Sequence, residues 1–345
     1  MLKSKNCFIL FFFSFILSLP FTVDTHEKDS VEFSYIPNIH GVFRGRWEIE
    51  TQDGYSHFQV RNARVSVDGK VAPILSYMIN TDLCDRGKIL LLDAYATVTP
   101  VRGLDIRVGQ YRMPFGIESF RGPGSYFFNN RSYIGKHVNN YRAVGLSVGY
   151  TLPKAPLTFE AGVFNPTVMD DQMTWVKKYA YAGRVVYKPG GWTFATGFES
   201  IIPDSVRINL ASATIGWGAG NFYAEAEYMT RCYSNRTHKL TQAYNIFANY
   251  DFHLPKGIFD ILSVQARFDG MTDLASGTSP VNDLGRLETT AYGRKRLTLG
   301  STLDYKYKRL RAAIRLNYEK CWYDHHVVPS RGNGDTFSAE LIVKF

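Results

Sequence analysis

Beyond its first 25 residues the chain has no long hydrophobic run. A membrane-spanning helix needs about 20 consecutive apolar residues, and here every later apolar run is broken within a few positions, which excludes an α-helical membrane protein. Cysteine is scarce: four in 345 residues, one of them at position 7 inside the N-terminal apolar stretch. The three that remain, Cys84, Cys232 and Cys321, are an odd set that gives no disulfide scaffold. Nor is the chain poor enough in apolar residues to be disordered, or periodic enough in glycine to be collagenous.

What is there is finely interleaved. Hydrophobic residues make up 45% of the chain and aromatics 15%, with 24 Phe and 22 Tyr, yet they are spread among polar neighbours. The N-terminus is the exception: Lys3 and Lys5 precede the apolar stretch from Cys7 to Leu19, closed by Pro20. That is the charged and apolar order of a secretory signal peptide, so residues 1–23 read as a leader without a clean cleavage site, and 24–37 as a short periplasmic segment. A single membrane anchor is the alternative, but the stretch is short for spanning. Losing Lys3 and Lys5 with the leader takes the formal charge from +9 to +7, a balance that attracts anions.

From residue 38 onward the apolar residues alternate with period two, the mark of strands with two unlike faces. In 38–50 the odd positions are Ile39, Gly41, Phe43, Gly45, Trp47 and Ile49, while the even ones include Arg44, Arg46, Glu48 and Glu50. The pattern recurs at 58–67, 74–81, 89–98, 104–110, 144–150, 157–163, 179–187, 192–198, 206–210, 222–228, 243–250, 262–268, 297–303, 310–318 and 337–345. Sixteen strands over 38–345 give about 19 residues per strand and connection, a spacing suited to tilted spanning strands. Short connections rich in Gly and Pro, at 68–70, 99–103, 153–156, 188–191, 218–221, 253–257 and 307–308, alternate with longer ones at 113–141, 165–177, 231–239, 270–293 and 321–334. Short turns at one end and long loops at the other predict an all-β fold, a transmembrane antiparallel β-barrel over 38–345.

The stretch Gly109-Gln110-Tyr111-Arg112-Met113-Pro114-Phe115-Gly116-Ile117-Glu118, with the preceding Leu91-Leu92-Asp93-Ala94-Tyr95, resembles the strand-to-loop motif of the phosphate-selective porin O and P family. Weaker echoes fall at 61–65, 130–132, 162–165 and 183–185. The resemblance implies a sixteen-stranded outer-membrane barrel, usually trimeric, whose third loop folds inward and narrows the pore. The final strand ends on Phe345, which resembles the terminal aromatic that the bacterial barrel-assembly machinery reads.

Motifs for catalysis have little support. Gly145-Leu146-Ser147-Val148-Gly149 matches G-x-S-x-G, but that motif needs a strand-to-helix turn, and Ser147 sits in the middle of an alternating strand. Trp217, between Gly216 and Gly218, reads as a turn. His325 and His326 with Cys321 and Asp324 offer zinc-ligand chemistry, but adjacent residues on extended chain point apart, so a solvated loop is the better reading. No enzyme, cofactor, metal or nucleic-acid reading emerges.

The residues expected to matter line a pore. Turning the apolar parity toward lipid puts Arg44, Arg46, Arg107, Arg184, Arg207, Arg267, Arg296, Arg309, Arg311 and Arg315 on the lumen side, since a charge on the lipid face costs about 2–4 kcal/mol near the midplane. Ten acids share that face: Glu48, Glu50, Asp105, Glu160, Glu225, Glu227, Asp269, Asp304, Glu319 and Glu340. Mutual pairing is the plain expectation for any one of these arginines. The loop 113–141 carries Arg121, Arg131 and Lys136 against Glu118, with His137 beside them, and is the candidate constriction; 270–293 reads as an outward loop. Passive passage of small hydrophilic solutes with an anion preference follows, with a non-selective or sugar-passing channel as the rival, and a barrel enzyme or adhesin behind it.

Overall fold

The computed structural model describes residues 35–85, 87–139, 141–166, 175–325 and 327–345. The expected leader 1–23, the first part of the segment 24–37, and His326 lie outside the described residues. From residue 35 on the chain forms sixteen strands: β1 (Asn38–Glu50), β2 (Ser56–Ala72), β3 (Leu75–Asp85), β4 (Lys88–Val101), β5 (Leu104–Arg112), β6 (Arg142–Thr151), β7 (Leu157–Phe164), β8 (Ala180–Tyr187), β9 (Trp192–Ile201), β10 (Ile208–Ala219), β11 (Phe222–Tyr233), β12 (Thr241–His253), β13 (Ile261–Met271), β14 (Arg294–Tyr307), β15 (Leu310–Tyr323) and β16 (Thr336–Lys344). Each pairs antiparallel with its sequence neighbours, and β16 returns to β1 to close the barrel. At that seam Phe43 stands opposite Val343 and Trp47 opposite Ala339, and the Gly41 amide donates to the Phe345 carbonyl at 2.9 Å. Closure leaves no edge strand, which is what lets a sheet satisfy its backbone in hydrocarbon. No helix among the described residues is long and apolar enough to cross a membrane.

The two-faced alternation explains the wall. Val108, Leu146, Ile215, Ile246, Val264, Leu299, Ile314 and Leu341 are exposed on the outside, whereas Ser147, Thr214, Asn245, Gln265, Thr298, Asn317 and Ser338 are buried on the inside. Near the turn end the outer face carries clustered aromatics, with Trp192 6.0 Å from Trp217 and Trp217 5.7 Å from Phe222, the girdle a membrane interface favours. Trp217 is thus a strand residue of β10, and the turn falls at 220–221. Residues 68–70 are likewise strand rather than turn: β2 runs on through Gly69, which pairs with Tyr77, and reverses at 73–74. The tyrosine ring covers that glycine, since a Cβ there would lie 2.9 Å from its hydroxyl, so the ladder survives a residue with no side chain to pack.

Ser147 lies within β6 and accepts the Tyr111 hydroxyl at 2.9 Å, a wall contact in place of a nucleophile elbow. Cys84, Cys232 and Cys321 are free thiols near the loop ends of β3, β11 and β15. His325 reaches Asp273 at 3.4 Å, and no metal-holding group of His, Cys, Asp and Glu occurs among the described residues.

Candidate functional site: the third loop and the charged wall

Strand β5 stops where Pro114 removes a ladder donor, and the chain then runs as the loop 113–141 before β6 begins. Three short turns shape it, at Glu118–Phe120, Pro123–Ser125 and Ile134–Val138. Gly116 takes φ +71, and a Cβ there would lie 2.7 Å from Met229 and 3.0 Å from Glu227, so only glycine suits this close approach. Phe115 and Ile134 are fully buried, in one apolar cluster with Val138, Ile208, Leu210 and Met229.

The loop is fastened to inward side chains all around one side of the barrel. The Ile117 and Glu118 amides donate to the Glu227 carboxylate at 2.8 and 3.3 Å. Arg184 donates to the Gly116 carbonyl at 3.3 Å and lies over the Phe120 ring. Arg311 donates to the Gly124 carbonyl at 2.8 Å, and Arg315 to the carbonyls of Tyr126 and Phe128 at 2.6 and 3.1 Å. The Asn129 carbonyl accepts from both Arg44, at 2.6 Å, and Arg46. Arg267 donates to the Asn130 carbonyl at 2.9 Å, Arg296 to the Arg131 carbonyl at 2.7 Å, and the Tyr133 amide to Asp269 at 2.8 Å. Strands β1, β8, β11, β13, β14 and β15 all hold the loop against the inner wall.

The wall arginines are therefore neither bare nor open. Arg44, Arg46 and Arg315 share the single carboxylate of Glu340, at 2.7, 2.9 and 3.4 Å. Arg267 and Arg296 lie between Asp269 and Glu319. Arg44, Arg46, Arg267 and Arg315 are buried beneath the loop. Arg107 and Arg184 flank Glu160 at 3.5 and 2.9 Å, and Arg311 pairs with Asp304. Two positions are not on the inner wall: Arg309 falls in the β14–β15 turn, and Arg207 precedes β10, where it stacks on the outward ring of Tyr181 and donates to the Tyr179 carbonyl at 3.1 Å. Arg309 comes from extending the β15 parity past the start of that strand, and Arg207 from taking Val206, Ile208 and Leu210 as the lipid face when they are buried inside, beneath the third loop.

The loop cations differ among themselves. Arg121 forks onto Glu225, donating to Oε1 at 2.8 Å and also to Oε2. Arg131 donates to the Tyr126 hydroxyl at 2.6 Å and to the Arg121 carbonyl at 3.2 Å. Lys136 is exposed and makes no ion pair among the described residues; Arg296 and Arg294 act on it from the wall, against the pull of Glu319. His137 is half-buried, and burial, then Lys136, Arg294 and Arg296, push its pKa down to about 3, so the ring is neutral.

Across from the loop, β2 to β6 carry a second cationic group that the loop-charge argument missed. Arg64 pairs with Asp82 and Arg142 with Asp93, both at 2.9 Å, while Arg112 feels the charges of Arg142 and Arg131. Arg131 and Arg64 both act on Tyr126. The signal was present, since Arg64 lies on the inward parity of β2 and Arg112 within the quoted motif, but reading the wall by summed charge hid it.

A closed sixteen-strand barrel, apolar outside, charged inside and with a long loop against its inner wall, defines an outer-membrane porin. Residues 37–193 match the family of phosphate-selective porin O and P. Among solved structures the chain is similar to the anion-selective porin from Comamonas acidovorans (12% identity, TM-score 0.58, covering 90% of this chain and 98% of that one). It is similar also to OprB of Pseudomonas putida (10%, TM-score 0.61, 89% and 93%) and to the trimer form of OmpT of Vibrio cholerae (10%, TM-score 0.55, 90% and 98%). None of the curated proteins matches the chain in sequence.

Proposed function

We propose that the barrel passes small hydrophilic solutes by passive diffusion across the outer membrane, with a preference for anions such as phosphate. The observation that carries this is the grouping of cations from loop and wall: Arg131 of the loop with Arg64, Arg112 and Arg142 of β2, β5 and β6, against Asp82 and Asp93, and Lys136 of the loop beside Arg294 and Arg296, against Glu319. Rings of charged side chains are a pore's means of selecting ions, and guanidinium forks match oxyanions. In this reading Arg121, Arg131, Lys136 and His137 belong to the constriction, but Lys136 and Arg131 face solute, Arg121 braces the loop and His137 adds no charge. Arg44, Arg46, Arg184, Arg267, Arg311 and Arg315 hold the loop, while Arg107 lines the wider wall. Residues 1–23 leave on export, Phe345 is read by the assembly machinery, and the working unit is a homotrimer, as in the OmpT trimer form. The fold and family match point to a channel rather than an enzyme.

The test is the reversal potential of the mature protein in a planar bilayer under a KCl gradient. An anion-selective sign is expected, whereas zero or a cation-selective sign overturns the preference.

A further inference from the structure

The β13–β14 loop does not stay outside. After β13 it is tied down at once: Thr241 Oγ1 donates to the Asp273 carbonyl at 2.7 Å, and Leu274 pairs with Ala291. Leu274, Ala275, Leu287 and Ala291 are buried, in the same apolar cluster as Tyr133, Ile134 and Val138 of the third loop. Only the stretch 282–286 is exposed throughout.

One side chain joins the two loops. Arg231 of β11 is fully buried. Its Nη1 donates to the Val138 carbonyl at 3.3 Å and the Tyr141 hydroxyl at 2.7 Å, and its Nη2 to the carbonyls of Ala275 and Ser276 at 3.0 and 2.7 Å. Tyr233 adds a hydroxyl that donates to the Ala275 carbonyl at 3.0 Å and accepts its amide at 3.1 Å. Behind them stands Glu199, fully buried, whose carboxylate accepts no hydrogen bond among the described residues and is subject to the charges of Arg231 and Arg112. A planar fork with fixed donors suits such bridging, because it sets four acceptors at once.

We propose that Arg231 is a positioning residue that locks the third loop and the β13–β14 loop into one body, so that the loop 272–293 sets the pore's width together with 113–141. This inference rests on the channel reading. The third loop keeps its own anchors on the wall, so removing the Arg231 bridge frees the loop 272–293 to move against it, and motion at the narrowest level rises although the wall is intact.

The experiment compares single-channel conductance and open-state current noise of the wild type with three variants, each first checked for heat-modifiable mobility as a folded barrel. Arg231→Met combined with Glu199→Gln removes the bridge without leaving a lone buried charge, and it should raise conductance by at least ~1.5-fold, with more noise, because the narrowest segment dominates the resistance. Tyr233→Phe, which loses the hydroxyl that meets Ala275 and Thr241 but leaves Arg231 in place, should move both readouts the same way by less. Deleting 282–286, outside the packed part, should move neither. A wild type that passes no current ends the channel reading and this inference with it. Normal wild-type conductance left unchanged by Tyr233→Phe and by the double variant overturns the inference alone, and so does a tip deletion that matches them.

Discussion

The guanidinium of Arg121 grips Glu225, which is itself buried, while the ammonium of Lys136 meets no carboxylate within ion-pair distance among the described residues. Equal charges on one loop therefore act differently. Lys136→Gln removes an exposed charge of the proposed constriction and should shift the reversal potential toward cations. That shift should shrink as salt rises, since the Debye length falls from about 10 Å at 0.1 M to 3 Å at 1 M. Arg121→Gln should move selectivity less and stability more, because breaking a buried pair from one side costs about 3–5 kcal/mol; an unfolding midpoint in detergent reads it. His137→Gln is the control. With a pKa of about 3 the ring stays neutral at both pH 8 and pH 5, so the reversal potential of this variant should track the wild type at each. A divergence at pH 5 would mean the histidine titrates near its ordinary 6.5 and belongs among the pore charges. Loop membership was legible in the sequence for Arg121, Lys136 and His137, and charge sign for the two cations; pairing was not, because partners such as Glu225 come from strands far along the chain.

At the scale of elements, all sixteen strands were legible because lipid on one side and water on the other impose an alternation that few other environments do. The ends of strands were not. Residues 68–70 have the composition of a turn, yet pairing with Tyr77 carries β2 through them. The loop 272–293 has no periodicity to mark its buried half, so nothing in its sequence distinguishes Leu274 and Leu287, which are packed, from Leu284, which is exposed. The third loop is held chiefly by carbonyl groups accepting from arginines, and any sequence supplies carbonyls. Glu340 is the keystone of that arrangement, since one carboxylate gathers Arg44, Arg46 and Arg315 while these three reach Tyr126, Phe128 and Asn129. Glu340→Gln keeps the shape and removes the charge, leaving Arg44 and Arg315 without their carboxylate, and Arg46 with Glu48 alone, in a buried site. A loss of about 3–5 kcal/mol is expected, with faster proteolysis within 113–141 than in the wild type. Protease resistance and an unfolding midpoint equal to those of the wild type would show that the loop's position does not depend on this carboxylate.

For the whole molecule the decisive event is closure, and the β1–β16 seam brings together the two ends of the barrel's sequence. At its turn end the Phe345 ring lies on Gly41, where a Cβ would stand 2.2 Å from the ring carbons. The ring remains about half exposed, at 52%, so its burial contributes little to the stability of the closed barrel. Two roles for the terminal aromatic can be separated here. If the ring acts by seating on Gly41 once the barrel is closed, then Gly41→Val, which pushes the ring aside but retains it, should lower outer-membrane yield as much as deleting Phe345 does. If instead it is read before closure by the assembly machinery, deletion should lower the yield and Gly41→Val should leave it near wild type, because a last residue held by one backbone segment swings away at small cost. The second outcome is expected, with the thermal midpoint of the deleted chain, once folded in detergent, close to that of the full chain. Equal outer-membrane yields for the deleted and full-length chains would remove the signalling role from Phe345 and leave the ring as one more apolar group at the girdle.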